Sequence, residues 1–215
     1  MSVTLGNNGS MARGGSSNVI NISKGAKINL TKDVGLKKIM FGLGWTTPSD
    51  KYDNYSGEDF DLDASVFLCD ANNHSKPEWF VFYNNLTGPN NCVVHQGDNR
   101  TGGDGVADDE QIFVDLSLVP SGIDRVAIVV TIDQADERKQ NFGLIEKAYC
   151  RLIDDETGKE VIRYDLGEDF STETAIVVGE VYRHNGDWKF NAIGRGFKDG
   201  LIGLCRNYGL QAEYR

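Results

Sequence analysis

Ala175-Ile-Val-Val-Gly-Glu-Val-Tyr-Arg-His-Asn-Gly-Asp-Trp-Lys-Phe-Asn-Ala-Ile193 decides the architecture. Asn185-Gly186 lies between two β-prone runs, and both residues tolerate the positive φ that a two-residue hairpin turn requires. Beyond the turn, Trp188, Phe190 and Ala192 recur at period two, so one face of the returning strand is apolar. Toward the N-terminus, residues 149–153 and 161–164 flank Asp155-Glu-Thr-Gly158, a second hairpin signal. Residues 126–132 are apolar almost without interruption, as in a strand covered on both faces. Residues 79–83 are aromatic and β-branched, and Phe60-Asp-Leu-Asp-Ala-Ser-Val-Phe-Leu-Cys69 begins with strict alternation. Helix is scarce. Residues 135–140 suffice for a turn or two. Over 197–208, Phe197, Leu201, Leu204, Cys205 and Tyr208 share one helical face, and Gly209 supplies a stop. The pattern predicts an all-β chain: a β-sandwich of two facing sheets with one short C-terminal helix packed on a sheet.

The 215 residues fit one domain, 19–215. Residues 1–18, rich in Gly, Ser and Asn with no apolar centre, read as a disordered leader or an expression remnant rather than a secretory signal. Against 22 Lys and Arg stand 32 Asp and Glu, a formal charge of −10, which argues against nucleic-acid partners. No apolar run approaches the roughly 20 residues that span a bilayer. The four cysteines (Cys69, Cys92, Cys150, Cys205) have neither C-x-x-C nor zinc-ribbon spacing. Buried free thiols in a reducing cytoplasm are the expectation.

The chemistry concentrates in His95-Gln-Gly-Asp-Asn-Arg-Thr-Gly-Gly-Asp-Gly-Val-Ala-Asp-Asp-Glu110. Asp98, Asp104, Asp108, Asp109 and Glu110 face one cation, Arg100, with Gly97, Gly102, Gly103 and Gly105 interspersed. Like charges this dense repel, and glycine makes the segment costly to order. A multivalent cation reverses both effects. Calcium takes six to eight oxygens from carboxylates, amides and backbone carbonyls, and all three kinds are on offer. Asp61 and Asp63 lie two apart on a strand, so their carboxylates leave one face while Leu62 and Ala64 point into the core. The loop is not an EF-hand: counted from Asp98, Arg100 and Gly102 fill ligand positions, and Asp109 stands where a bidentate Glu belongs. Nor does it repeat like a calcium-binding β-helix. His95 is expected to orient a carboxylate rather than bind the ion, since a hard cation prefers oxygen. Asn84 and Asn85 either lend a carbonyl or shape their loop, and Asp165, Glu168, Asp169 and Glu173 read as a solvated acidic turn. Catalysis has little support, with no G-x-S-x-G, no phosphate-binding glycine loop and no paired thiols.

Gly42-Leu-Gly-Trp45, Phe60-Asp-Leu-Asp-Ala-Ser-Val-Phe67, Phe82-Tyr-Asn-Asn85, His95-Gln-Gly-Asp-Asn-Arg-Thr-Gly102 and Asp108-Asp-Glu110 occur in this order. Lys139-Gln-Asn-Phe-Gly143, Ser171-Thr-Glu-Thr-Ala175, Tyr182-Arg-His184 and Trp188-Lys-Phe190 follow. Together they resemble the TerD family of tellurium-resistance and stress-response proteins over residues 19–209. The resemblance implies a cytoplasmic, non-enzymatic β-sandwich holding Ca2+ between two facing sheets. It implies partners among other ter-encoded proteins, at the inner membrane surface. Carried over by position, the family's acidic motifs put Asp61, Asp63, Asp98, Asn99, Asp104, Asp108, Asp109 and Glu110 at the cation site. The chain departs from the family pattern where Val106-Ala107 lengthens the acidic run and where the polar stretch 52–57 is extended. Two other readings stay open: a calcium-dependent membrane-surface or partner-binding module, and a metal-assisted hydrolase using Asp61, Asp63 and Asp98. Under the calcium reading, Asp109→Asn should be neutral or mildly stabilising without the cation and destabilising with it.

Overall fold

The computed structural model describes residues 19–46, 60–99, 108–145, 147–166 and 170–212. Its strands are β1 (Ile20–Asn21), β2 (Lys27–Asn29), β3 (Lys38–Thr46), β4 (Leu62–Cys69), β5 (Phe80–Val81), β6 (Val93–His95), β7 (Glu110–Asp115), β8 (Arg125–Ile132), β9 (Lys147–Asp154), β10 (Lys159–Asp165), β11 (Ala175–His184) and β12 (Asp187–Phe197). Two helices, α1 (Ala135–Arg138) and α2 (Gly200–Asn207), complete the regular α-structure, and a single π-helical turn, Leu30–Val34, follows β2.

The strands form two six-stranded sheets. The first runs β1-β10-β9-β3-β7-β6 and the second β2-β12-β11-β8-β4-β5. The hairpin at Asn185-Gly186 forms as its chemistry requires. Both residues have positive φ (54° and 85°), and His184 faces Asp187 across the turn. Alternation then sorts side chains between two cores. On β4, Leu62, Ala64, Val66 and Leu68 enter the core between the sheets, with Phe41 and Leu43 of β3 and Ile112 and Val114 of β7. Phe67 and Cys69 point to the other face, where Leu204, Cys205 and Tyr208 of the C-terminal helical segment cover the second sheet. A ring stack runs Tyr208–Phe67–Phe80–Phe82 across that face, with centroid separations of 4.6, 4.2 and 4.4 Å.

Two expected elements shift. Phe197 does not open the last helix. It ends β12, paired with Ala175, and the helix begins at Gly200. The ladder with β11 holds residues up to 197 extended, although Phe197 still packs against the cluster under α2. The run 79–83 yields only the two residues of β5. Phe82 and Asn85 exchange backbone hydrogen bonds (3.0 and 2.9 Å), which reverses the chain at Tyr83-Asn84. The four cysteines are free and buried, as their spacing implied.

Candidate metal centre

Asp61 and Asp63 stand at the start of β4. Because Leu62 and Ala64 face the core, alternation sends both carboxylates to the opposite face. Both residues are only 8% exposed. Asp98, from the segment after β6, reaches the same place, and one oxygen from each of the three carboxylates falls within 4.8 Å of the others. By the period of the strand, Asp63 leaves β4 on the side that also carries Phe67 and Cys69, and Asp98 approaches it from the segment after β6 of the first sheet. Hard oxygen donors, crowded and partly withdrawn from water, are the set that calcium prefers.

Each of the three consecutive acids at the far end of the loop is engaged by other donors. Asp108 lies on the outer face of the first sheet. Arg151 grips it with two hydrogen bonds, Nε to Oδ1 at 2.7 Å and Nη2 to Oδ2 at 2.9 Å, and the Tyr149 hydroxyl donates a third at 3.2 Å. Burial and the neighbouring Asp108 push the Tyr149 phenol up to about 12. The carboxylate rests against Gly42. A Cβ there would stand 2.4 Å from it, so Gly42 in Gly-Leu-Gly is bare backbone that seats Asp108. Asp109 extends the β3 ladder: its N–H donates to the Leu43 carbonyl at 2.7 Å, and its Oδ2 accepts from the Trp45 N–H at 2.9 Å. Glu110, first residue of β7, shares the inward face with Ile112 and Val114. Its Oε2 accepts from the Ala64 N–H at 2.5 Å and its Oε1 from the Asn99 N–H at 3.4 Å. Burial, foremost, pushes the Glu110 pKa up to about 8. The bond from Ala64 pulls it down and repulsion from Asp63 pushes it up.

The hydrogen bonds of His95 run to the backbone. Its Nδ1 accepts from the Gly97 N–H at 3.0 Å, so the proton of the neutral ring sits on Nε2, 3.0 Å from the Ala64 carbonyl. Burial lowers its pKa, in keeping with a neutral ring. Asn85 shapes its loop, donating to the Phe80 carbonyl at 2.7 Å. Asp104 and Arg100 lie outside the described residues, as do residues 52–57, Glu168 and Asp169.

Two neighbours escaped the sequence reading. Asp133 follows the apolar run of β8, and its N–H donates to the Asp61 carbonyl at 2.8 Å. Its carboxylate receives Gln134 Nε2 at 2.9 Å and Arg138 at 3.5 Å. Tyr83 stands at the rim, 42% exposed. Its phenol is pushed up by burial first and then by Asp63, Asp133, Asp98 and Asp61 in turn. The acid closing an apolar run was visible in the sequence. The register that brings it beside Asp61, next to the Leu62–Ile132 pair, was not.

Residues 19–208 match the TerD domain. The chain belongs to the TerD family. It is 54% identical over 194 residues to General stress protein 16U of Bacillus subtilis, covering 89% of this chain and 98% of the relative. It is 47% identical over 196 residues to the tellurium resistance protein TerD of Serratia marcescens, covering 90% and 99%. A crystal structure of a Streptomyces coelicolor homologue of telluride resistance protein TerD superposes with a TM-score of 0.64 at 22% identity. It covers 79% of this chain and 95% of that one, and at this identity the likeness speaks to the fold.

Proposed function

We propose that this TerD-family chain is a calcium-binding, non-catalytic stress protein of the tellurium-resistance type, acting in the cytoplasm with other ter-encoded proteins. The observation that carries the reading is the convergence of Asp61, Asp63 and Asp98 on one small volume. Three carboxylates would supply charge and part of the shell, and calcium there would cross-link β4 to the segment after β6. Asp108, Asp109 and Glu110, each engaged by other donors, would hold that segment rather than join the shell. The relatives' names, a general stress protein and tellurium resistance proteins, support the cellular role.

Reduction of tellurite by thiols fits the chain poorly. Burial pushes Cys69 up to about 12 and Cys92 up to about 11, and raises Cys150 and Cys205 as well, so none supplies a thiolate near neutral pH. Among the described residues, no helix is long and apolar enough to cross a membrane.

Calorimetric titration of the chelator-stripped chain with calcium tests the reading. Saturable binding that Asp61→Asn or Asp63→Asn weakens is the expected result. Heats no larger than those of dilution would overturn it.

A further inference from the structure

We propose that Glu110 and His95 are positioning residues that fix Asp98 against the Asp61/Asp63 pair, and that Glu110 is not itself a ligand. The proposal rests on the calcium reading above and goes beyond it.

Both residues belong to the first sheet, yet both reach Ala64 in the second. Among the described residues, β5 pairs β4 only at Val66 and Phe67, and no strand pairs Ala64 on that side. Glu110 Oε2 accepts its N–H at 2.5 Å, and His95 Nε2 donates to its carbonyl at 3.0 Å. One acceptor and one donor facing a single residue is what a neighbouring antiparallel strand would present. Two side chains here take the place of a strand.

Their other ends hold the second wall of the site. Glu110 Oε1 accepts from Asn99 and His95 Nδ1 from Gly97, the residues on either side of Asp98. Ala64 is the residue after Asp63. The same two groups therefore hold the backbone on both sides of the gap that Asp63 and Asp98 share. A single neutral tautomer satisfies both bonds of His95. If Glu110 turned toward a cation, the Ala64 N–H, on a residue 1% exposed, would lose its acceptor in a dry place. The family resemblance places Glu110 among the ligands through the Asp108-Asp-Glu110 motif. The geometry gives it a different task.

Amide spectra of the full chain in chelator and in saturating calcium, with calcium titrations of three variants, form the test. Calcium should shift the Asp61, Asp63 and Asp98 resonances while the Ala64 amide stays protected from exchange. Glu110→Gln, which turns an amide donor toward an N–H, and His95→Phe, which removes both bonds, should each weaken calcium at least about tenfold, as losing partners behind a metal shell does. His95→Gln, whose amide still donates toward Ala64, should recover part of the loss. Loss of Ala64 protection on adding calcium would overturn the proposal, since Glu110 would then have turned to the ion. Wild-type affinity in His95→Phe would overturn it too. Should that variant not fold, the wild-type spectra decide alone. No calcium-dependent shift anywhere would instead bring down the calcium reading, and the proposal with it.

Discussion

Asp61, Asp63 and Asp98 are carboxylic acids like Asp108, Asp109 and Glu110, but the two groups live differently. The first three crowd one another within 4.8 Å. The second three are split among a guanidinium, a backbone amide of β3 and a backbone amide of β4. An acid with dedicated donors is built into the fold. Acids that face each other gain most from a cation brought in from outside. Composition alone cannot separate these cases, and measurements in chelator and in calcium can.

The largest effect should come from the anchors. Asp108→Ala would remove two hydrogen bonds from the Arg151 guanidinium, which keeps its bond to Glu160, and one from the Tyr149 hydroxyl. We expect a loss of about 2–4 kcal/mol, at the low end because Arg151 is partly in water. Urea denaturation in both buffers should give the same loss. A loss confined to calcium would make Asp108 part of the ion's shell and erase the contrast.

Next comes the ion itself. A ligand at one hundred times its Kd adds about 2.7 kcal/mol, and for a domain of this size each kcal/mol moves Tm by about 2–4 °C. Saturating calcium should therefore raise Tm by roughly 5–11 °C over chelator. A shift below about one degree would remove the distinction between the two groups.

A smaller effect sharpens it. Asp98→Asn relieves repulsion from Asp61 and Asp63 in chelator, so Tm there should hold or rise by about one degree, while most of the calcium-induced rise disappears. This change of sign was expected of Asp109 from the sequence. The bond from the Trp45 N–H to Asp109 moves it to Asp98, and Asp109→Asn should now destabilise in both buffers.

The smallest is a slope with pH. In the metal-free protein Glu110 is raised from 4.5 to about 8, so between these values the folded chain holds a proton that the unfolded chain has released. Stability should fall as pH rises through that window. His95, lowered from 6.5, acts in the opposite direction, but only where the unfolded ring is protonated, below about that pH. From pH 6.5 to 8 the decline should stand alone, and melts of Glu110→Gln in chelator should lack it.

What was legible in the sequence was local. Asn185-Gly186 carries its turn in two residues, and the period of Phe60 to Cys69 sends Asp61 and Asp63 to one face. What was not legible depends on partners far along the chain. Arg151 is 43 residues from Asp108, Trp45 is 64 from Asp109 and Ala64 is 46 from Glu110. β3 and β7, which bring these partners together, gave weak signals. Gly42 and Gly44 dilute the apolar pattern of β3, and β7 opens on an acid that reads as loop. The helix ending at Asn207 is legible, but its start is not, because Phe197 suits a strand face as well as a helix face.

The side chains that stand in for a strand at Ala64 have a bearing on solubility. A sheet edge with open N–H and carbonyl groups is a template on which another chain can extend the sheet, and among the described residues β5 pairs with two residues of the edge of β4. With His95 and Glu110 already bonded to Ala64, an incoming strand finds no donor and no acceptor at that residue. Losing either side chain would therefore do more than loosen one site. It would uncover a length of apolar β4 to sister molecules, and the first sign of the damage in a concentrated solution would be turbidity.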